Sequence, residues 1–144
     1  MTTAAEPRLD RQRNRDRGPA ARLLGHRLLA VEPETAAVEL AYEARADFFN
    51  PMGVMQGGFT AAMLDQALVD AVVARADMRQ AVTVLETQCC FLRAIGPGEL
   101  RCRAEVVHLG RSTAFAEARL YGPDGALAAT ATAVTALGPR EGAD

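Results

Sequence analysis

The stretch that decides the fold is GGFTAAMLDQALVDAVVARA, residues 57–76. Beyond Gly58 it contains neither glycine nor proline, and it is too long for an ordinary strand. Apolar side chains surround nearly its whole circumference instead of forming one stripe. Because a helix that is apolar on most sides is buried on most sides, the sequence predicts one long helix at the centre of the domain.

Six segments around this helix are typical of strands. Period-two alternation, clearest in residues 100–109 and 112–121, indicates a sheet with one packed face and one wet face. An antiparallel sheet that covers the helix satisfies the apolar faces of both. The predicted fold class is therefore α+β, an antiparallel sheet wrapped around one long central helix. The six predicted strands are residues 23–31, 35–42, 81–92, 100–109, 112–121 and 126–137.

Length and composition exclude several functions. The 144 residues fit one domain, which we place at residues 21–138, between a flexible N-terminal tail at 1–20 and a C-terminal tail at 139–144. The net charge of -2 gives no case for a nucleic-acid partner. The chain contains no Lys, which excludes Schiff-base chemistry. No charge-free apolar run reaches membrane-spanning length, so we predict no membrane partner.

The cysteines and histidines do not predict a metal site. Cys89, Cys90 and Cys102 form no C-x-x-C motif, and neither His26 nor His108 lies near a cysteine pair. An odd cysteine count without a signal peptide indicates reduced thiols and a cytoplasmic location. We expect no metal and no cofactor.

Candidate chemistry begins where the central helix begins. Gly57 and Gly58 allow close approach of a ligand or a second chain, and the first amides of a helix lack internal acceptors, so they can seat a developing oxyanion. Asp65 lies in the most apolar segment, where an unpaired carboxylate is costly unless it is partnered, neutral or functional. The alternatives to these catalytic roles are structural: the glycines allow tight packing, and Asp65 is hydrogen-bonded to a neighbouring strand. Asp70 lies about 140° further round the helix; we expect it to face solvent and assign it no role.

The sequence NPMGVMQGG at residues 50–58 is followed six residues later by Asp65. Taken together with several short motifs, this stretch resembles the signature of the phenylacetate-degradation (PaaI) branch of the hotdog-fold thioesterases. That signature runs Asn, several residues, His-Gly-Gly, six residues, Asp. The resemblance covers residues 24–137 and implies the hotdog fold. It includes CFLR at 90–93, VVHLGR at 106–111 and the Asp124-Gly125 turn before LAATAT at 127–132.

The resemblance implies a role for each matching residue. Asp65 would act as general base or nucleophile toward a thioester carbonyl, and the amide of Gly57 would polarise that carbonyl. Asn50 would orient the attacking water or the carbonyl, and Thr83 is the match for a small hydroxyl on the strand after the helix. Gln56 departs from the usual His: it cannot titrate near neutral pH, but its amide can still donate a hydrogen bond.

The same resemblance implies an acyl-CoA substrate. Arg93 and Arg111 are candidates to contact the CoA phosphates, and Gly58, Phe59 and Met63 are candidates to line the path of the acyl group. The alternatives are solvated arginines at strand ends and ordinary core residues. The Arg-rich N-terminal segment also has two interpretations: it is a solvated tail, or it binds the CoA phosphates.

Helix geometry gives a reason to expect two subunits. Gly57 and Asp65 are eight residues apart, so their backbones stand roughly 12 Å apart along the axis. A reacting carbon must lie about 3 Å from both the attacking group and the oxyanion donor. If both residues are catalytic, they must come from different chains. The resemblance likewise implies a homodimer with shared active sites, and beyond it a dimer of dimers.

Three functions remain open on the sequence. The favoured one is hydrolysis of an acyl-CoA thioester. The second is a non-catalytic hotdog protein that binds acyl-CoA as a sensor, which Gln56 in place of His makes plausible. The third is a hotdog dehydratase or hydratase, ranked last because that chemistry usually needs a His and none lies in the helix region.

Overall fold

The computed structural model of the chain describes residues 5–140, with side chains from Leu9 onward. A short 3-10 turn, Ala46–Phe48, precedes the central helix. The helices are α1 (Ala5–Arg13), α2 (Gly18–Leu23) and α3 (Gly57–Arg75). The strands are β1 (Arg27–Val31), β2 (Val38–Ala44), β3 (Gln80–Phe91), β4 (Gly98–Leu109), β5 (Thr113–Tyr121) and β6 (Leu127–Pro139).

The six strands form one antiparallel sheet in the order β1-β2-β4-β5-β6-β3. Helix α3 packs against β2, β3, β4, β5 and β6. This confirms the predicted architecture, an antiparallel sheet wrapped around one long helix. Strand β3 follows α3 in the chain but lies at the sheet edge, where it pairs with β6 alone among the described strands.

The core is the contact between α3 and the inner face of the sheet. Met63, Leu64 and Leu68 of the helix are fully buried, as are Tyr42 and Leu120 of the sheet. Each buried side chain of this size contributes about 1.5–3 kcal/mol relative to an exposed one. By length and composition α3 could also cross a membrane, but 56% of its apolar window is buried inside the fold. It is therefore the core helix that its sequence predicts.

The N-terminal region differs from the sequence-based expectation. Helix α2 spans the predicted boundary between residues 20 and 21, and α1 lies within the predicted tail. The predicted first strand begins too early, because Gly25 adopts a φ of +69° and the strand starts only at Arg27. Residues 1–4 and 141–144 lie outside the described residues, so the flexibility of either tail stays a prediction.

A bulge in β3 decides which of its side chains reach the helix. The pairing with β6 shifts register between Val84 and Glu86. Before the shift Val82 and Val84 are half-buried, whereas after it the half-buried positions are Thr87 and Cys89. A bulge adds one residue to one strand and so reverses the alternation of faces beyond it.

Candidate active site around Asp65

Asp65 lies at the middle of α3 and is half-buried against β3. Its Oδ1 accepts a hydrogen bond of 2.9 Å from the hydroxyl of Thr87. No Arg or His pairs with this carboxylate within residues 9–140, where side chains are described. Asp65 is thus a carboxylate with one neutral partner and remaining acceptor capacity, as a proton acceptor or nucleophile requires.

Asp70, on the same helix, has the opposite environment. It is fully buried and accepts hydrogen bonds from Arg15, from Arg17 Nε at 3.0 Å and from His26 Nε2 at 2.5 Å. Burial alone would raise the pKa of Asp70, but the His26 hydrogen bond and the charges of Arg17 and Arg15 hold it below its usual value. The expectation that Asp70 faces solvent is therefore wrong, because the segment around Arg15 and Arg17 covers this side of α3.

The first turn of α3 presents free backbone donors. Gln56 precedes the helix in an extended conformation, and its carbonyl accepts the amides of Phe59 at 3.0 Å and Thr60 at 3.4 Å. The amides of Gly57 and Gly58 have no acceptor among residues 5–140. The Gln56 side chain is exposed and makes no capping bond, so its amide is also available to a ligand.

The loop before the helix is organised by Asn50. Its Oδ1 accepts the amides of Met52 at 3.0 Å and Val54 at 3.4 Å, which uses the acceptor half of the side chain. The backbone N–H of Gln56 donates to the Phe48 carbonyl at 2.8 Å and so fixes this loop beside the start of α3. The donor half of Asn50 has no bond to any described residue and can act on a bound carbonyl or water.

A cavity of about 330 Å³ opens at this end of α3. The ring of Phe91 lies against Gly57, and a Cβ at position 57 would stand 3.5 Å from that ring, in ordinary van der Waals contact, between the helix backbone and the ring. Glycine at this position keeps the helix backbone accessible from the cavity. The cavity is lined by Met55, Gly57, Thr60, Phe91, Leu92, Arg93, Ala94, Ile95 and Ala128.

The residues proposed to bind substrate are placed in different surroundings. Arg93 lines the cavity, and Arg111 is exposed after the turn at Gly110. Gly58 is exposed beside the helix start. Phe59, however, stacks on Phe48 with ring centroids 4.4 Å apart, and Met63 is fully buried. In this placement Phe59 and Met63 belong to the core, which was the alternative interpretation of both.

The hydroxyl that contacts Asp65 comes from Thr87, and not from Thr83. Thr83 is exposed on the opposite face of β3, whereas Thr87 reaches Asp65. Both are threonines on the strand after the helix, and only the bulge between Val84 and Glu86 decides between them. Thr87 is the site residue that the sequence reasoning missed, since a bulge carries no clear signature in one sequence.

Cys89 shares the inner face of β3 with Thr87. Burial first, and then the neighbouring charge of Asp65, raise the pKa of the Cys89 thiol. The thiol is therefore protonated at neutral pH and is a poor nucleophile. Among residues 5–140, no three or more His, Cys, Asp or Glu side chains converge to hold a metal ion.

Comparison with known proteins agrees with this fold. The profile of the thioesterase superfamily, 4HBT, matches residues 52–129, which include the start of α3, Asp65 and Thr87. A solved structure of a phenylacetic acid degradation-related protein from Ralstonia eutropha JMP134 is 35% identical, covers 88% of this chain and 96% of that chain, and superposes with a TM-score of 0.80. The chain belongs to the thioesterase superfamily and has its hotdog fold.

Two further proteins are similar to this chain. A curated Pseudomonas aeruginosa protein named "Putative esterase PA1618" is 29% identical over 121 residues, which are 83% of this chain and 82% of that protein. The E. coli PaaI protein from the phenylacetic acid degradation operon is 18% identical, covers 83% of this chain and 84% of that chain, and shares the fold with a TM-score of 0.75. The 35% identity to the phenylacetic acid degradation-related protein places the chain in the PaaI-type branch of the superfamily.

Proposed function

We propose that the protein hydrolyses acyl-CoA thioesters to a free acid and CoA, with Asp65 as general base or nucleophile. The observation that carries this proposal is the contrast between the two acids of α3. Asp70 is paired with Arg15 and Arg17 and hydrogen-bonded to His26, whereas Asp65 has Thr87 as its one partner within residues 9–140. Asp70 shows how this helix holds a structural carboxylate, paired with cations, so a half-buried Asp65 with one neutral partner fits a group kept reactive.

The start of α3 would stabilise the charge that develops on the thioester oxygen. The Gly57 amide donates along the helix axis, at the positive end of the helix dipole. The exposed side-chain amide of Gln56 supplies a second donor. The side-chain NH2 group of Asn50 orients the water or the carbonyl. None of these three groups has to change its protonation state during the reaction.

Two routes use the same groups. In the first, Asp65 takes a proton from water as the water oxygen bonds to the thioester carbon; the C–S bond then breaks and CoA leaves as a thiol after taking up the proton. In the second, Asp65 attacks the carbon, expels the thiolate and forms an anhydride, which water hydrolyses. Thr87 would hold the carboxylate at the angle needed in either route.

The active site would be shared between two subunits. Strand β3 has no partner on its outer edge among the described strands, and Leu85 and Phe91 on it are 62% and 56% exposed. An unpaired edge of this length favours pairing with a second copy. Pairing of two β3 edges about a twofold axis would bring the helices side by side, with Gly57 facing the partner subunit's Asp65.

Substrate contacts follow from the same arrangement. The acyl end of the substrate would enter the cavity beside Gly57, against Phe91 and Leu92. Arg93 and Arg111 would contact CoA phosphates, and the role of Thr83 stays a prediction. The exposed Val107 and Phe115 on the outer face of the sheet are candidates for dimer–dimer contact in a tetramer. We propose a cytoplasmic location, as the free thiols suggest.

Turnover of a panel of acyl-CoAs, followed by release of free thiol, tests the proposal. Asp65→Asn should lower kcat at least about 1,000-fold, since loss of a catalytic base or nucleophile has effects of this order. Asp47→Asn removes an exposed carboxylate near the same loop and is the matched control, with an unchanged rate. Equal rates for wild type and Asp65→Asn would reject the catalytic role.

The second candidate function is acyl-CoA binding without turnover, and Gln56 in place of His favours it. Calorimetric titration with a non-hydrolysable acyl-CoA analogue separates the two functions. An enzyme binds the analogue and turns over at least one acyl-CoA of the panel, and its Asp65→Asn variant binds but does not turn over. A sensor binds the analogue, and no acyl-CoA is cleaved faster than by Asp65→Asn.

A further inference from the structure

A second cavity, of about 560 Å³, lies between the N-terminal segment and the start of β1. It is lined by residues between 13 and 29 and shares no lining residue with the cavity beside Gly57. Its polar lining is mostly cationic, with Asp16 as the one acidic residue. The basic lining residues are Arg13, Arg15, Arg17, Arg22, Arg27 and His26.

Within residues 9–140, the acids that pair with these arginines are too few to neutralise them. Arg15 and Arg17 share the single charge of Asp70, and Arg22 pairs with Asp16 at 3.2 Å. The acid that pairs with Arg27, Glu99, is itself shared with Arg101. The lining arginines thus number five against the three carboxylates of Asp16, Asp70 and Glu99.

The remaining cation is Arg13, which donates to the backbone carbonyl of Leu29 at 3.3 Å and pairs with no acid within residues 9–140. Among the side chains that the structure describes, five guanidiniums against three carboxylates leave an excess of two positive charges at this cavity, before any contribution from His26. Like charges gathered in a cleft raise the local concentration of counter-ions.

Two buried guanidinium nitrogens of this cluster also lack hydrogen-bond acceptors among the described residues. Arg17 is only 7% exposed, and its Nη2 has no acceptor among the described residues; the same holds for Nε of Arg15. Burial lowers the pKa of Arg15; Asp70 opposes this, and the charges of Arg17 and Arg140 add to it. Positive charge at this depth is costly without matching anions.

We propose that this cavity binds the phosphate monoester group of an organic ligand. A phosphate dianion matches the excess of two charges, and guanidinium groups bind phosphate oxygens in pairs. Arg13, Arg22 and Arg27 are exposed and can contact the anion. Arg15 and Arg17 are less exposed and add positive charge to the cavity wall. Ala21, Leu28 and Leu29 line the same cavity and offer apolar contact to the organic part. The volume lies in the range of small-molecule sites, roughly 300–1,000 Å³.

Two sources could supply this phosphate, the 3′-phosphate of a CoA substrate or a separate phosphorylated metabolite. The site does not depend on the chemistry at Asp65. It is built from the N-terminal segment and β1. Arg15 and His26 of this region bond to Asp70, which lies on a different side of α3 from Asp65.

Calorimetric titration with inorganic phosphate, in a phosphate-free buffer of low ionic strength, tests the site. Wild type should bind one phosphate per chain, and the double variant Arg13→Gln/Arg22→Gln should bind at least about 10-fold more weakly. Arg75→Gln/Arg119→Gln removes two exposed arginines elsewhere and is the charge-matched control, with wild-type affinity. Arg27→Gln, on β1, tests the same site without altering the N-terminal segment.

The proposal is overturned if wild type binds no phosphate, or if the two double variants bind equally well. Competition then identifies the source. Displacement of phosphate by CoA but not by dephospho-CoA assigns the site to the 3′-phosphate of CoA; displacement by glucose 6-phosphate but not by CoA assigns it to a separate metabolite. Asp65→Asn should bind phosphate as wild type does, so failure of the thioesterase proposal would leave this result unchanged.

Discussion

Replacing Asp70 by Asn should destabilise the protein strongly, although Asp70 takes no part in the proposed chemistry. The substitution keeps the shape of the side chain but leaves Arg15 and Arg17 without their shared counter-charge. Removing one partner of a buried ion pair typically costs about 3–5 kcal/mol. The side chain of Arg15 is 17% exposed, so we expect the low end, about 3 kcal/mol.

Urea unfolding at a fixed protein concentration measures this loss. Fixed concentration matters because a dimer gains stability from assembly. Thermal unfolding gives a second readout. For a chain of this length a loss of 1 kcal/mol lowers Tm by about 3 °C, so the Tm of Asp70→Asn should fall by about 9 °C. Asp16→Asn removes the acid of an exposed pair with Arg22 and should cost less than about 1 kcal/mol. A loss of stability in Asp70→Asn no larger than in Asp16→Asn would refute this account of the cluster.

Three further outcomes follow from the same contacts. Thr87→Ala should lower kcat by about 10-fold or more, because a hydrogen bond to a charged group contributes about 1.5–3 kcal/mol; Thr87→Ser keeps the hydroxyl and should restore most of the rate, and equal rates for both would contradict a positioning role. Gln56→Ala should lower kcat by about 10-fold or more through loss of one oxyanion donor, whereas Gln56→His should recover activity with a new pH dependence near the usual His pKa of about 6.5; a flat profile for Gln56→His would argue against contact with the reacting groups. Since the pKa of folded Asp70 is below its ordinary value of 3.8, its stabilising contribution is complete above that pH and is lost as the pH falls through the folded value; the gap between wild type and Asp70→Asn in urea should therefore narrow only in strong acid, and narrowing near neutral pH would show that another group is responsible.

The sequence contained enough information for the architecture because its strongest signals are local. Helix α3 lacks glycine and proline beyond Gly58 and is apolar on most sides, so a buried helix fits residues 57–75. Alternation in β4 and β5 gave the sheet and its inner face. The turn at Gly122 and Gly125 marked the β5–β6 connection.

Two features of the site depended on tertiary contacts and could not be read locally. The bulge in β3 moves Thr87, and not Thr83, to the inner face. Asp70 is buried because residues far away in sequence, Arg15 and Arg17, cover it. An acid on an otherwise apolar helix predicts a partner or a function, and choosing between these requires knowing what packs over each one.

The most direct test of the shared site is activity of a mixed dimer. One chain carries Asp65→Asn and the other Asn50→Ala, with different affinity tags, and the heterodimer is purified from co-expression. In a shared arrangement one of its two sites joins an intact Asn50 to the intact Asp65 of the other chain, so the heterodimer should show about half of the wild-type rate per dimer. A heterodimer as inactive as its two parent homodimers would contradict the account.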